Sequence, residues 1–152
     1  MVSASGGRLA VFPTIKDVFL GENGRVKQAH MATVTIRVRG CRNDRGQLVA
    51  GLYIESAFKR FGGDEPTYRQ VASPADAVLV FEDVAPDCYA AGVYHDENGN
   101  GRLDLTFVGT PSEGRGYSRT ESVRLAPPSF DEARFEVTES DVLMDVVLKY
   151  PS

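Results

Sequence analysis

The sequence is poor in several residue types, and each shortage excludes a class of protein. Its 152 residues include two cysteines, two histidines and no tryptophan. Two cysteines are too few for a disulfide-built scaffold, and two histidines this far apart cannot assemble a zinc site of the usual kind. No run of 18 apolar residues is present, so we expect no membrane span. Basic clusters are also missing and the net charge is −4, which argues against nucleic acid as a partner.

Length and composition indicate one folded domain behind an N-terminal extension. A chain of this length is typical of a single domain, and 42% hydrophobic with 25% charged residues is the ordinary globular balance. Residues 1–31 differ in character from the rest of the chain, so we expect a flexible or non-native extension there and a domain over residues 32–152. The extension has no visible signal peptide. Whether Cys41 and Cys88 form a disulfide depends on export and stays open.

The hydrophobic pattern predicts short strands and almost no helix. Val34, Ile36 and Val38 alternate with polar residues, and residues 142–150 alternate in the same way. Further strands are expected at residues 47–54, 78–81, 88–94 and 121–125, a loop at 66–77, and helical turns at 55–61 and after an N-cap at Ser129. About seven short strands predict an all-β, antiparallel β-sandwich, prealbumin-like or immunoglobulin-like.

The glycine-rich segment after Tyr94 contains most of the side chains that could bind a metal ion. With Asp96 as the first position, oxygen-bearing side chains recur at the third, fifth and ninth positions, glycine stands at the sixth, and a backbone carbonyl is available at the seventh. EF-hand calcium loops take their ligands from these positions. The twelfth position is Phe107, so we expect Glu113 to complete the shell from a neighbouring turn. The predicted Ca²⁺ ligands are Asp96, Asn98, Asn100, Arg102 (through its carbonyl), Asp104 and Glu113.

Such a site would be weak, and a metal-free interpretation is also open. Without a bidentate acid at the twelfth position we expect affinity in the range of extracellular modules, roughly 10⁻⁴–10⁻³ M. Alternatively, Asn98, Gly99, Asn100 and Gly101 form only a tight turn, because Asn-Gly pairs tolerate positive φ and asparagine side chains cap their own backbone. The calcium interpretation is preferred because several ligand positions are in register.

His95 raises the alternative of catalysis. A small hydrolase could pair His95 with Glu113 or Asp96 as acid and base. Neither Ser112 nor Ser118 lies in a nucleophile-elbow pattern, however, so no catalytic residue is assigned. We expect the ring of His95 to orient the loop or the turn at Glu113.

Other chemically suggestive side chains have simpler interpretations. Arg115 and Arg119 near Tyr117 could receive an anion, but a solvated loop is the default expectation. The phenylalanines are expected to fill or cap the core; they are Phe58, Phe61, Phe81, Phe130 and Phe135.

Several segments together resemble a known family. They are YAAGVYHDENGNGRLD at residues 89–104, GTPSEGRGYS at 109–118 and PPSFDEA at 127–133, with supporting similarity at residues 46–58 and 147–150. They resemble the uncharacterised bacterial domain-of-unknown-function family 2141 over about residues 33–150. The resemblance implies a periplasmic or secreted setting and no assigned biochemical role. Locally, the loop is also similar to calcium loops in the B repeats of bacterial surface adhesins, which have a prealbumin-like sandwich.

The expected function is therefore a non-catalytic, extracytoplasmic binding or accessory module with a calcium-stabilised loop. Carbohydrate or a cell-envelope protein is the partner that such a setting suggests. The hydrolase and a purely structural protein with an Asn-Gly turn and no metal are the alternatives.

Overall fold

The computed structural model describes residues 31–58, 65–102, 112–120 and 128–151, together with the backbone of two short strands before them. Those two strands are β1 (Val18–Leu20) and β2 (Val26–Gln28), which pair with each other. The expectations for Phe61, Asp104, Phe107 and a strand at residues 121–125 fall outside the described residues.

The rest of the described chain forms eight more strands and two single-turn helices. In chain order they are β3 (Ala32–Arg39), β4 (Gln47–Tyr53), α1 (Glu55–Phe58), β5 (Tyr68–Ala72), β6 (Val78–Val84), β7 (Asp87–Asp96), β8 (Arg115–Tyr117), α2 (Phe130–Ala133), β9 (Arg134–Val137) and β10 (Val142–Val147).

These eight strands make two sheets, and the predicted all-β sandwich is confirmed. The smaller sheet has the order β10-β3-β6, and the larger has β5-β4-β7-β8, with β9 beside the first half of β7. Every pair is antiparallel except β10 with β3, which run parallel. The sequence patterns did not predict this parallel pair, because strand direction depends on long-range connections rather than on alternation.

The core lies between the sheets and obeys the predicted alternation. Val34 and Ile36 of β3 are completely buried, whereas Arg37 and Arg39 point to solvent. Leu148, just past β10, is 3% exposed and lies in the same core. Of the phenylalanines expected inside, Phe58 and Phe81 are buried, and Phe130 and Phe135 are half-buried and packed against the core.

Three strands of the sandwich were missed from the sequence, as were β1 and β2 in the expected extension. The loop expected at residues 66–77 contains β5, an edge strand whose side chains are half-buried or exposed, so it carries no apolar alternation. Short β8 lies inside the segment expected to be a loop, and β9 comes directly after α2 with no intervening turn. Local patterns fail here because pairing with neighbouring strands, rather than side-chain burial, defines these elements.

Three smaller expectations can be compared directly. The N-cap at Ser129 is confirmed, since its hydroxyl accepts from the backbone N–H of Glu132, and the Glu132 carboxylate accepts from the N–H of Ser129 in return. Cys41 and Cys88 are both free thiols. In the part of the chain that the structure describes, no helix is long and apolar enough to cross a bilayer.

Candidate functional site

Asp96 is the last residue of β7, and its carboxylate organises the turn after that strand. The side chain is completely buried. Oδ1 accepts from the backbone N–H of Asn100 at 3.1 Å, and Oδ2 accepts from the N–H of Gly101 at 2.6 Å. The side-chain amide of Gln47, its partner across β4, donates to Oδ2 at 2.9 Å. The first predicted ligand therefore lies at the centre of the loop and faces inward.

The next predicted ligands wind the loop by short-range hydrogen bonds. Oδ1 of Asn98 accepts from the N–H of Asn100 at 3.1 Å, and Oδ1 of Asn100 accepts from the N–H of Arg102 at 2.9 Å. Gly99 and Gly101 have φ angles of 71° and 78°, where glycine carries no steric penalty. The result is a tightly coiled segment whose alternate side chains turn back on their own backbone.

Glu113 comes from the turn before β8 and lies against the same loop. It is 5% exposed, and its Oε1 accepts from the backbone N–H of Glu97 at 3.2 Å. The Tyr94 hydroxyl donates to the carbonyl of Gly101 at 2.9 Å, and the charges of Asp96 and Glu113 both act on it. Its pKa is raised mainly by burial, and the charges of Asp96 and Glu113 raise it further against the opposing effect of Arg69. Two buried carboxylates therefore share this end of the large sheet.

The structure brings most of the predicted ligand set into one region. Asp96, Asn98, Asn100 and Arg102 form the coiled turn, Glu113 packs beside it, and Asp104 falls outside the described residues. Among the residues described, no group of three or more His, Cys, Asp or Glu side chains is placed to hold a metal ion. The described members of the set contribute two carboxylates, two side-chain amides and one backbone carbonyl.

His95 is buried beside this loop with both ring nitrogens hydrogen-bonded. Nε2 lies 2.7 Å from the carbonyl oxygen of Arg45, which can only accept, so Nε2 carries the proton. In the tautomer that carries its single proton on Nε2, Nδ1 accepts from the Tyr150 hydroxyl at 2.7 Å. The ring thus joins the β3–β4 turn to the C-terminal strand region. Acid–base chemistry at His95 would require one of these bonds to break.

Tyr150 completes this network because its hydroxyl bonds on two sides. Besides donating to His95, it accepts from the backbone N–H of Arg42 at 3.1 Å. The Arg42 guanidinium lies over the Tyr150 ring, 4.5 Å from its centroid. Burial raises the pKa of the Tyr150 hydroxyl, so this hydroxyl keeps its proton at neutral pH and can donate it in a hydrogen bond.

Glu97 fastens the loop to the β3–β4 turn. Its carboxylate accepts from Arg42 Nη2 at 2.6 Å, from Asn43 Nδ2 at 2.7 Å and from Arg45 Nη2 at 3.3 Å. The bond from Arg42 is the main reason that the pKa of Glu97 falls to about 2. Glu97 occupies the second position of the loop and was not singled out from the sequence. Its carboxylate therefore forms a structural ion pair.

Sequence reasoning missed the partners that hold the site from a distance. Gln47 and Tyr150 belong to no local motif: strand register places Gln47 beside Asp96, and the packing of the chain after β10 places Tyr150 beside His95. Glu97 lies inside the loop, but its spacing matches no predicted ligand position. The expectation of a solvated loop at Arg115 is wrong, because Arg115 lies in β8 and is 7% exposed. Arg119 is exposed, as expected of that turn.

Fold and site together define a β-sandwich protein with an aspartate- and asparagine-rich loop at one end of its larger sheet. The model of one family, described as an uncharacterised protein conserved in bacteria (DUF2141), matches residues 36–144, and the chain belongs to that family. The match extends from within β3 to within β10 and includes the whole loop. No curated protein and no solved structure matches the chain.

Proposed function

We propose that the protein is a non-catalytic binding or accessory module whose loop at residues 96–104 is held in shape by Ca²⁺. The observation that carries the proposal is the buried carboxylate of Asp96, which faces into a coiled turn with the buried Glu113 beside it. The ion would tie the loop to the turn before β8 and give the end of the sheet one fixed shape.

The chemistry of the donors suits a hard cation. Calcium takes six to eight oxygen ligands, in a mixture of carboxylate, amide and carbonyl groups, and this end of the sheet offers all three kinds. A carboxylate oxygen has two lone pairs, and among the described residues Oδ1 of Asp96 accepts only one hydrogen bond. That oxygen therefore retains capacity for one more partner.

Two buried acids also favour a cation over the metal-free turn. The hydrogen bonds inside the loop alone suit both interpretations. Asp96 and Glu113, however, are two buried acids in the same region, and carboxylate oxygens are preferred ligands of a hard cation. A divalent ion would use both carboxylates, whereas the short-range hydrogen bonds of the turn involve Asp96, Asn98 and Asn100.

The hydrolase alternative gains no support from the site. Both nitrogens of the buried His95 ring are engaged by Arg45 and Tyr150. Neither Glu113 nor Asp96 is among its hydrogen-bond partners, so the acid–base pair that a hydrolase would need is not formed.

Calcium titration monitored by thermal melting tests the proposal. We expect the melting temperature of the chelator-treated protein to rise with Ca²⁺ and to saturate in the low millimolar range, with a smaller response to Mg²⁺. At one hundred times the dissociation constant, binding to the native state alone adds about 2.7 kcal/mol of stability. Asp96→Asn and Asp104→Asn should each abolish the response.

Asp44→Asn is the matched control, because Asp44 is an exposed acid of the β3–β4 turn and belongs to no predicted ligand set. It should keep the full calcium response. An unchanged melting temperature at 10 mM Ca²⁺, or an equal response in Asp96→Asn, would leave the metal-free turn as the correct interpretation.

We also propose that the module works outside the cytoplasm, on carbohydrate or a cell-envelope protein. A site with millimolar affinity is filled by extracellular calcium and stays empty at cytosolic levels. Fractionation of cells that express the native gene with a C-terminal tag tests this setting. Recovery of the tag in the cytoplasmic fraction alone would contradict it.

A further inference from the structure

A second feature of the molecule is a polar cavity at the seam between the two sheets. Its volume is about 560 Å³, and it is lined by Arg39, Asp145 and Val147 from the outer face of the smaller sheet and by Arg119 and Thr120 from the turn after β8. Small-ligand pockets fall in the range of roughly 300–1,000 Å³, so the space can hold a group larger than a simple ion. None of the predicted calcium ligands that the structure describes lines it.

The described lining of the cavity carries two arginines, Arg39 and Arg119, and one acid, Asp145. Asp145 accepts from Arg37 Nε at 2.7 Å and from Arg39 Nε at 3.0 Å, so a single carboxylate serves two guanidinium groups. Arg39 uses only Nε in this bond, and its two terminal nitrogens have no hydrogen-bond partner among the described residues. In a chain with a net charge of −4, the described lining as a whole is a local excess of cationic donors.

On the other wall, the backbone holds Arg119 in an unusual conformation. Its φ is +62°, a left-handed value that favours glycine and is strained for other residues. Ser118 fixes the turn, because its buried hydroxyl donates to the carbonyl of Ala133 and accepts from the N–H of Ala91 at 2.9 Å. Nη1 of Arg119 donates to the carbonyl of Arg134 at 3.0 Å, which leaves its remaining donors for other partners.

Two guanidinium groups that face one cavity define the chemistry of its ligand. Each offers a planar fork of N–H donors that matches the paired oxygens of a carboxylate or a phosphate. Thr120 adds a hydroxyl to the lining, and Val147 an apolar surface for the body of the ligand.

We propose that this cavity binds the carboxylate or phosphate group of a small ligand between Arg39 and Arg119. The proposal rests on the binding role proposed above, for which it names a ligand class. It uses none of the described calcium ligands, so the two proposals can fail separately.

Titration of the metal-free protein, monitored through the NMR signals of the arginine Nε–H groups, tests the proposal. The probes are inorganic phosphate and glucuronate, each added at constant ionic strength. We expect the Arg39 and Arg119 signals to shift and saturate with at least one probe. Saturation by phosphate alone assigns a phosphorylated ligand, and saturation by glucuronate alone a carboxylated one.

Two variants separate loss of the site from loss of the fold. Arg119→Gly should keep the native spectrum, because glycine adopts the left-handed conformation without strain, yet weaken binding at least tenfold. Arg39→Gln should weaken binding to a similar extent and leave the calcium response intact. Arg69→Gln is the control, since Arg69 is exposed on β5 at the opposite edge of the larger sheet, and it should bind like the native protein.

The absence of saturable shifts with both probes would overturn the proposal. So would unchanged affinity in Arg39→Gln and Arg119→Gly, or an equal loss in Arg69→Gln, which would indicate attraction by overall charge only. If the arginine signals saturate while the calcium titration shows no response, the cavity proposal stands and only the loop proposal falls.

Discussion

At the scale of single residues, the site depends on polar side chains that are buried and hydrogen-bonded. His95 is completely buried, and its two nitrogens connect the carbonyl of Arg45 to the Tyr150 hydroxyl. A buried polar atom that loses its partner costs the full penalty of having left water. We therefore interpret His95 as a structural connector between three segments that are far apart in sequence.

We predict that Tyr150→Phe lowers the free energy of unfolding by about 1–3 kcal/mol, because Nδ1 of His95 would lose its donor. Urea denaturation measures the loss. The control is the same change in a His95→Phe background, where no ring nitrogen remains to be left unsatisfied, so Tyr150→Phe should cost clearly less there. Equal costs in the two backgrounds would show that the hydroxyl of Tyr150 does not act through His95.

The residue scale also shows how far the sequence could predict the site. The alternation of Asp96, Asn98 and Asn100 is local, and the coiled turn it indicates is present. The supporting contacts from Gln47 and Tyr150 depend on which strands are neighbours, and a single sequence does not specify this pairing. Local ligand spacing is readable from sequence, whereas the groups that bury and orient those ligands are set by the fold.

At the scale of elements, two turns pack against each other to build this end of the sheet. Gly46 in the β3–β4 turn has a φ of +67°, and a methyl group there would lie 2.0 Å from the carbonyl oxygen of Asp96 and 2.8 Å from the backbone of Glu97. Such an approach allows no side chain. The β3–β4 turn therefore sets the position of the loop through direct contact between backbones.

We predict that Gly46→Ala destabilises the protein by about 3 kcal/mol or more, since it combines a left-handed backbone with a clash against backbone atoms that cannot move cheaply. Gly99→Ala is the matched control. Gly99 has a similar φ of +71° but no atom of the described residues within 4 Å of the added methyl group, so we expect only the conformational cost of about 1 kcal/mol. Equal losses for the two variants in urea denaturation would contradict close packing of the turns.

Elements differ in how well the sequence predicts them, and burial explains the difference. One face of β3 is buried and the other is exposed or half-buried, so its alternation is clear, and the residues expected to face inward do so. In β5 and β8 the pattern is lost, because the first is an exposed edge strand and the second has only three residues, all of them buried. Alternation marks a strand only where its two faces meet different environments.

At the scale of the whole molecule, β10 is essential to the sandwich although it comes last. It pairs in parallel with the central strand β3 of the smaller sheet and contributes Val146 to the core, with Leu148 just beyond it. Parallel pairing with a strand about a hundred residues earlier is a contact of very long sequence separation. No local signal predicts it, which is why the expected topology was antiparallel throughout.

Unlike β10, the N-terminal strands β1 and β2 have no described pairing with either sheet of the sandwich, and this difference predicts where the folded domain begins. Among the described strands, β1 and β2 pair only with each other. Deletion of residues 1–30, so that the chain begins at Met31, should change the melting temperature by less than about 3 °C. Deletion of residues 142–152 should instead unfold the protein. It removes a strand together with two buried side chains worth about 1.5–3 kcal/mol each, a large part of a typical total stability of about 5–15 kcal/mol. Thermal melting monitored by circular dichroism measures the stability of both deletion variants. A fall of more than about 10 °C after the N-terminal deletion would place that segment inside the folded domain.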